Sequence, residues 1–361
     1  RAFTTAAANA LTTDQIATLN TAQVNALSTT QVAALNTNQI GAIETTDVAA
    51  LSTAQVAVLN TAQTVALNTN QIGALNTASI RALNTTDTAA LTTDQIVALN
   101  SAQIGALSTA QVGVLNTNQA SAIETSDLVG LNTASVRAFT TAAINALTTD
   151  QVAALNTAQV NALGTSQVAA LNTNQIGAIE TTDLAAMNTA QIATFNTAQT
   201  VALSTSQVAA LNTAHVRALN TADTAALTTD QITALNSAHV SALSTVQISV
   251  LNTAQAAAIE TSDLVGLSTA SIRAFTTAAA AALTTDQVVN LNTAQVNAFG
   301  TSQVAVLTTA QINAMETTDL TALDTNQVQA ISTTAIKSLI AATITNLADT
   351  QAAALTTSQI G

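Results

Sequence analysis

The sequence predicts an all-α solenoid of very short capped helices, one per eight-residue repeat, with about 3 to 3.5 repeats per superhelical turn. Three observations lead there. An octad close to Leu-[Asn/Ser/Thr]-Thr-x-[Gln/Asp]-[Ile/Val]-x-Ala runs from Phe3 to Gly361, its first position stepping through Leu11, Leu19, Leu27, Leu35, Ile43, Leu51, Leu59, Leu67 and Leu75. Most octads carry the residues that start a helix. A longer period laid over the octad constrains how many octads make a turn.

The octad Leu27–Ala34 shows the local logic. Ser28 is a favoured N-cap residue and Gln31 stands three residues on, the spacing of a capping box, in which each side chain satisfies a backbone N–H at the helix start. Leu27, before the cap, and Val32, the fourth helical residue, form the pair of a hydrophobic staple. The next cap follows one octad later, so each helix spans roughly six residues and ends in a corner of Leu and Asn, Ser or Thr. Such helices do not persist alone, because nucleation is unfavourable. Packing must hold them: a buried Leu or Ile contributes about 1.5–3 kcal/mol, against an ordering cost of about 1–2 kcal/mol per backbone residue. The nearly constant Ala at the octad's end, as in Ala34, is expected where neighbouring helices pass too close for a larger side chain. The five Phe residues (Phe3, Phe139, Phe195, Phe275 and Phe299) all take the Leu position and read as core.

The competing fold is a β-solenoid with three eight-residue sides per turn, since Thr, Val and Ile favour strands. Val32, Ala34 and Leu35 cannot share one strand face, however, and a strand has no use for caps. The helical reading is preferred.

Glu44, Glu180 and Glu316 recur at intervals of seventeen octads, as do Glu124 and Glu260, so the steps between successive Glu octads alternate between ten octads and seven. Arg1, Arg81, Arg137, Arg217 and Arg273 keep the same rhythm. Phe3–Ala50 aligns with Leu83–Gly130, and Leu75–Ala82 with Leu131–Ala138, whereas Leu51–Ala74 has no counterpart in the shorter block. An insertion of three octads is easiest to accommodate at about 24–28 residues per turn; in a two-octad hairpin solenoid it would exchange the two sides. The chain therefore reads as one continuous solenoid over 1–361, with super-repeats 1–136, 137–272 and a partial 273–361. It opens and closes inside an octad, so a piece of a longer chain is expected.

Composition narrows the function. Of 361 residues, 48% are hydrophobic, 7% charged and 1% aromatic, with no Pro, Cys or Trp. A Leu and an Ile or Val in nearly every octad argue for a folded chain rather than a disordered polar tract. Six basic against 19 acidic residues, a net charge of −13, disfavour nucleic acid and anionic membrane surfaces as partners. No apolar run is long enough to span a membrane. The lack of cysteine excludes disulfides and thiolate sites. Two His, no Cys, no Tyr and no phosphate-binding or nucleophile motif leave no catalytic residue to name, and no enzyme is expected.

Five octads carry paired carboxylates: Glu44 and Asp47, Glu124 and Asp127, Glu180 and Asp183, Glu260 and Asp263, Glu316 and Asp319. Such pairs could contribute to a calcium site, which takes six to eight oxygens. The simpler expectation is that each Asp complements the helix dipole, leaving no metal or other cofactor. Arg81, Arg137, Arg217 and Arg273 sit late in their octads, where a cation suits a helix C-terminus, and are expected to pair with acidic residues one turn away; the alternative is a row that sets register between chains. His215 and His239 replace the usual Gln three octads apart and read as neutral variation rather than a zinc site. The recurrent Thr at the third position reads as the first helical residue, with an ice-binding array or O-glycosylation track as sharper alternatives.

Stretches such as Ala154–Val160 (Ala-Leu-Asn-Thr-Ala-Gln-Val) and Leu91–Ile96 (Leu-Thr-Thr-Asp-Gln-Ile) resemble the octapeptide repeats of giant secreted bacterial surface proteins of adhesin-like type, and the similarity spans the chain. That resemblance implies an extracellular or cell-surface bacterial protein, a cysteine-free stalk or filament that self-associates into fibres or bundles. The glycine-rich nonapeptides of calcium-binding toxin-type adhesins are missing, which puts calcium-driven folding in doubt. A repeat module presenting its Thr-rich face to glycan, ice or calcium is the alternative.

Overall fold

The computed structural model describes residues 4–339 and 347–361; these are helices and corners, with no strand among them, so the β-solenoid alternative is excluded. The chain forms two compact units, Arg1–Met187 and Asn188–Gly361, each an α-solenoid of the same octads.

Each described octad makes a helix of four to six residues. The helix Thr117–Ala122 is representative. Asn116 is its N-cap, in extended conformation, and its Oδ1 accepts the Gln119 N–H at 3.0 Å while Gln119 Oε1 accepts the Asn116 N–H at 2.9 Å. This is the expected capping box. At the other end Ile123 returns to extended backbone (φ −63°, ψ 127°) and starts the corner. No described residue, glycine included, has a positive φ. Corners made by two extended residues need no left-handed glycine, so an apolar residue such as Ile123, Met187 or Phe139 can stand there.

Within each unit, the described helices pack on those three octads later. In the first unit Thr37–Ala42 packs on Thr61–Ala66 and Thr117–Ala122 on Thr141–Ala146; in the second, Thr253–Ala258 packs on Thr277–Ala282. A turn is thus three octads, the lower end of the expected range. The insertion Leu51–Ala74 is one whole turn. Octad positions one, five and six face inward, as Leu35, Gln39 and Ile40 do, all buried. A helix of little more than one turn can offer the core only one narrow face plus its flanking corner. The remaining positions mostly face outward or are half-buried, although Ala242 and Ala298 at octad ends are buried. Phe139, Phe195, Phe275 and Phe299 fill the Leu position in the core as expected, and Phe3 lies outside the described residues.

One packing expectation needs correction. The octad-final Ala is not a uniform point of close approach: Val114 and Val306 occupy that position half-exposed. Close approach is local. A Cβ on Gly130 would overlap the Ser101 carbonyl oxygen, one on Gly105 would overlap that of Gly130, and one on Gly266 would overlap Ser241 Oγ. Ser101 and Ser237 are the only serines at the third octad position, and Gly130 and Gly266 stand at the eighth position of the octads one turn further on. There a Ser without the Thr methyl meets a Gly without Cβ.

Candidate functional site

The most repeated chemical feature is the buried Gln at position five. Gln119 Oε1 caps its own helix, and its Nε2 donates to the carbonyls of Thr88 (3.0 Å) and Leu91 (2.8 Å) in the turn beneath. This rung to the corner carbonyl of the preceding turn recurs from Gln39 to Leu11, Gln63 to Leu35 and Gln175 to Leu147, each 2.7 Å, in the first unit. In the second it runs from Gln231 to Leu203 (2.8 Å) and Gln287 to Ile259 (2.6 Å). A primary amide suits the position because one end must accept and the other donate. Sequence reasoning saw only the capping half. The missed signal was that Glu, which serves a capping box equally well, never stands at this position in so acidic a chain.

The candidate calcium residues divide into inward and outward members. Asp47, Asp127, Asp183, Asp263 and Asp319 occupy the Gln position and are buried, whereas Glu44, Glu124, Glu180, Glu260 and Glu316 are exposed at the N-cap and make no side-chain cap bond. A carboxylate cannot donate to the corner, so it accepts instead: Thr21 Oγ1 donates to Asp47 and Thr157 Oγ1 to Asp183, both at 2.5 Å, and Thr293 Oγ1 to Asp319 at 2.8 Å. The aspartates do lie in their helices' first turns, where the dipole favours them. Burial pushes Asp127 up from the ordinary carboxylate value, and the Glu124 charge adds to this, while Ser126 and the Ser101 backbone oppose it. Burial likewise raises Asp263; Ser262 counters this, Glu260 raises it further, and His239 lowers it. Asp223, in a Gln position with no acidic neighbour in its octad, is raised by burial against the Asn220 backbone bond. Among the described residues no three His, Cys, Asp or Glu side chains converge on a metal-sized site.

His239 shows how a histidine can stand in for the usual Gln. Its Nδ1 accepts the Asn236 N–H at 3.3 Å and its Nε2 meets the Leu211 carbonyl at 2.6 Å, which assigns the proton to Nε2. The ring thus performs both tasks of Gln. His215, one turn beneath, is also buried and takes the same capping place, with Nδ1 at 3.4 Å from the Asn212 N–H.

Two of the arginines make a contact other than the expected one. Arg217 and Arg273 donate Nε to the carbonyls of Ala242 (3.4 Å) and Ala298 (3.3 Å), at the C-terminal end of the helix one turn on, rather than to a carboxylate. The preference of a cation for a helix C-terminus is realised, but on the neighbouring helix. Arg1 lies outside the described residues. Most third-position Thr residues are exposed, and some spend their hydroxyl on an Asp of the next turn.

A rung that binds octad after octad to the turn below marks a tandem repeat, and the sequence comparison agrees. The ALTTAQ repeat matches this chain continuously across residues 16–237 and again across 256–317. The chain belongs to the ALTTAQ repeat family. No curated protein matches it. In these ALTTAQ repeats no described helix is long and apolar enough to cross a membrane.

Proposed function

We propose that the chain is structural material: a rod-like segment of an extracellular filament or adhesin stalk on a bacterial surface, without catalytic activity. The observation that carries this reading is the Gln rung. Octads are hydrogen-bonded to the corner one turn below, as in Gln39 to Leu11 and Gln63 to Leu35, so each turn is a template for the next and length can be added without new design. Inward positions are spent on packing and rungs, and outward positions are mostly small and polar. The resemblance to secreted surface-protein repeats supports the location. Small-angle scattering on the purified chain and on a tandem duplication of it tests the proposal. The maximum dimension should grow in proportion to length at constant cross-section; a compact particle in both cases refutes it.

A second reading, a binding module for glycan, ice or calcium, is favoured by the Thr columns. Thr85, Thr109, Thr133 and Thr157 stand exposed at successive turns of one face. Glycan-array and ice-recrystallisation assays on the wild type and on a variant with this column changed to Ser decide it, since loss of only the methyls should abolish a surface-matched ligand.

A further inference from the structure

Four strips of the surface share one pattern. Arg81, Arg137, Arg217 and Arg273 are exposed at the seventh position of their octads. Two turns on, on the same face, stand the exposed Glu124, Glu180, Glu260 and Glu316. The helices between them stack in order: Thr77–Ala82, Ser101–Ala106 and Thr125–Leu128; Thr133–Ala138, Thr157–Ala162 and Thr181–Ala186; Thr213–Ala218, Ser237–Ala242 and Thr261–Leu264; Thr269–Ala274, Thr293–Asn297 and Thr317–Ala322. The first two strips lie within the first unit and the last two within the second. Each middle octad exposes only small or polar residues, without an exposed charge.

Two helix spacings come to roughly 16–20 Å, far beyond ion-pair reach, so each Arg and its Glu cannot meet within the chain. A twofold axis through the middle octad, perpendicular to the stack, exchanges the two ends of a strip. We propose that these strips are the lateral contact between two antiparallel copies of this chain, Arg81 of one meeting Glu124 of the other and the reverse, with the uncharged middle octads at the axis. Such an isologous contact is self-complementary, and a parallel copy would set like charge over like. Around Arg217 the strip is a shallow groove floored by Ala214, Ala238 and Ser241, which gives the arginine of the strip room to reach sideways. Within each unit the second strip follows the first by seven octads, two turns and one octad more, and so faces the adjacent side. Antiparallel neighbours therefore add on successive sides, and association continues into bundles instead of closing at a pair.

The contact goes beyond the stalk reading and does not depend on the particle's length; scattering tests one and association the other. The test is sedimentation velocity on the whole chain, first at about 10 mM salt, where charges act over about 30 Å, then at about 0.5 M. Self-association at low salt that weakens about tenfold or more at high salt is expected from rim ion pairs. Two variants sharpen it: R81E/R137E/R217E/R273E and E124R/E180R/E260R/E316R, with circular dichroism to confirm the fold. Each alone should be monomeric, and an equimolar mixture should associate again. The second variant discriminates from simple charge repulsion, because its net charge is smaller in magnitude than the wild type's −13 and repulsion alone would make it associate more. A wild type that stays monomeric at low salt, variants that associate as it does, or a mixture that fails to recover each overturns the proposal.

Discussion

Replacing Gln119 by Ala removes the bond that accepts from Asn116 N at 2.9 Å and the rung to Leu91 at 2.8 Å. Gln119 is buried, so water does not freely replace either partner. A net hydrogen bond is worth about 1 kcal/mol and a stranded buried polar group costs about 1–3 kcal/mol, which puts Gln119→Ala at about 2–4 kcal/mol. The chain itself sets the upper bound, since Ala143, Ala279 and Ala335 already stand at this position in folded turns. Gln119→Glu separates the two halves of the bond: it keeps the accepting oxygen for the cap but sets a carboxylate against the Leu91 carbonyl. Its loss at neutral pH should exceed that of Ala and be recovered on acidification, when the protonated acid can donate. Long repeat arrays depart from two-state unfolding, so the assay is native-state hydrogen exchange at Thr117–Ala122 and the Leu91 corner, with urea midpoints by circular dichroism as a second measure. Changing the exposed Gln329 to Ala should shift neither by more than about 0.5 kcal/mol. If Gln119→Ala behaves like Gln329→Ala, or Gln119→Glu shows no acid recovery, the rung is not what holds the turns.

Thr64 and Thr200 are fully buried with hydroxyls that find no partner, so Thr64→Val and Thr200→Val should each stabilise by about 1 kcal/mol in urea titrations. Gly130→Ala should destabilise by about 1–3 kcal/mol through overlap with the Ser101 backbone, while Gly164→Ser, at an N-cap where a Cβ makes only ordinary contacts, should gain about 0.3 kcal/mol; thermal melts distinguish them. Asp223 has its carboxyl raised by burial, with no charged residue on the packed helices Thr197–Val201 and Thr245–Ser249. The folded state therefore binds that proton more tightly than the unfolded state. Its contribution is full below the ordinary carboxylate value and is lost as pH rises through the raised one. Asp223→Asn should raise stability at neutral pH and flatten the pH profile of the melt; an unchanged profile would show that burial does not govern this group.

Much of the architecture was legible because it is local. Ser28 and Gln31 announce a helix start without reference to any other turn, and Leu27 with Val32 mark its inner face. The whole-turn insertion Leu51–Ala74 even bounded the turn length. The site was less legible. Asp47 and Glu44 are neighbours in sequence, and nothing local says that one is buried against Thr21 while the other is exposed. Arg217 was expected to seek an acid one turn away, but what lies within its reach is a helix end.

By itself the sequence determined the octad, the caps, the helical class and the identity of the apolar core positions, because these follow from interactions confined to a single octad and its corner. The number of octads per turn, the partner of every Gln amide and the faces that Arg and Glu share were decided only by tertiary structure. The reason is geometric. Which residue a Gln amide meets a full turn below depends on the sum of many small corner rotations, and a sequence in which every octad looks alike does not distinguish one sum from another until the turns are closed upon each other.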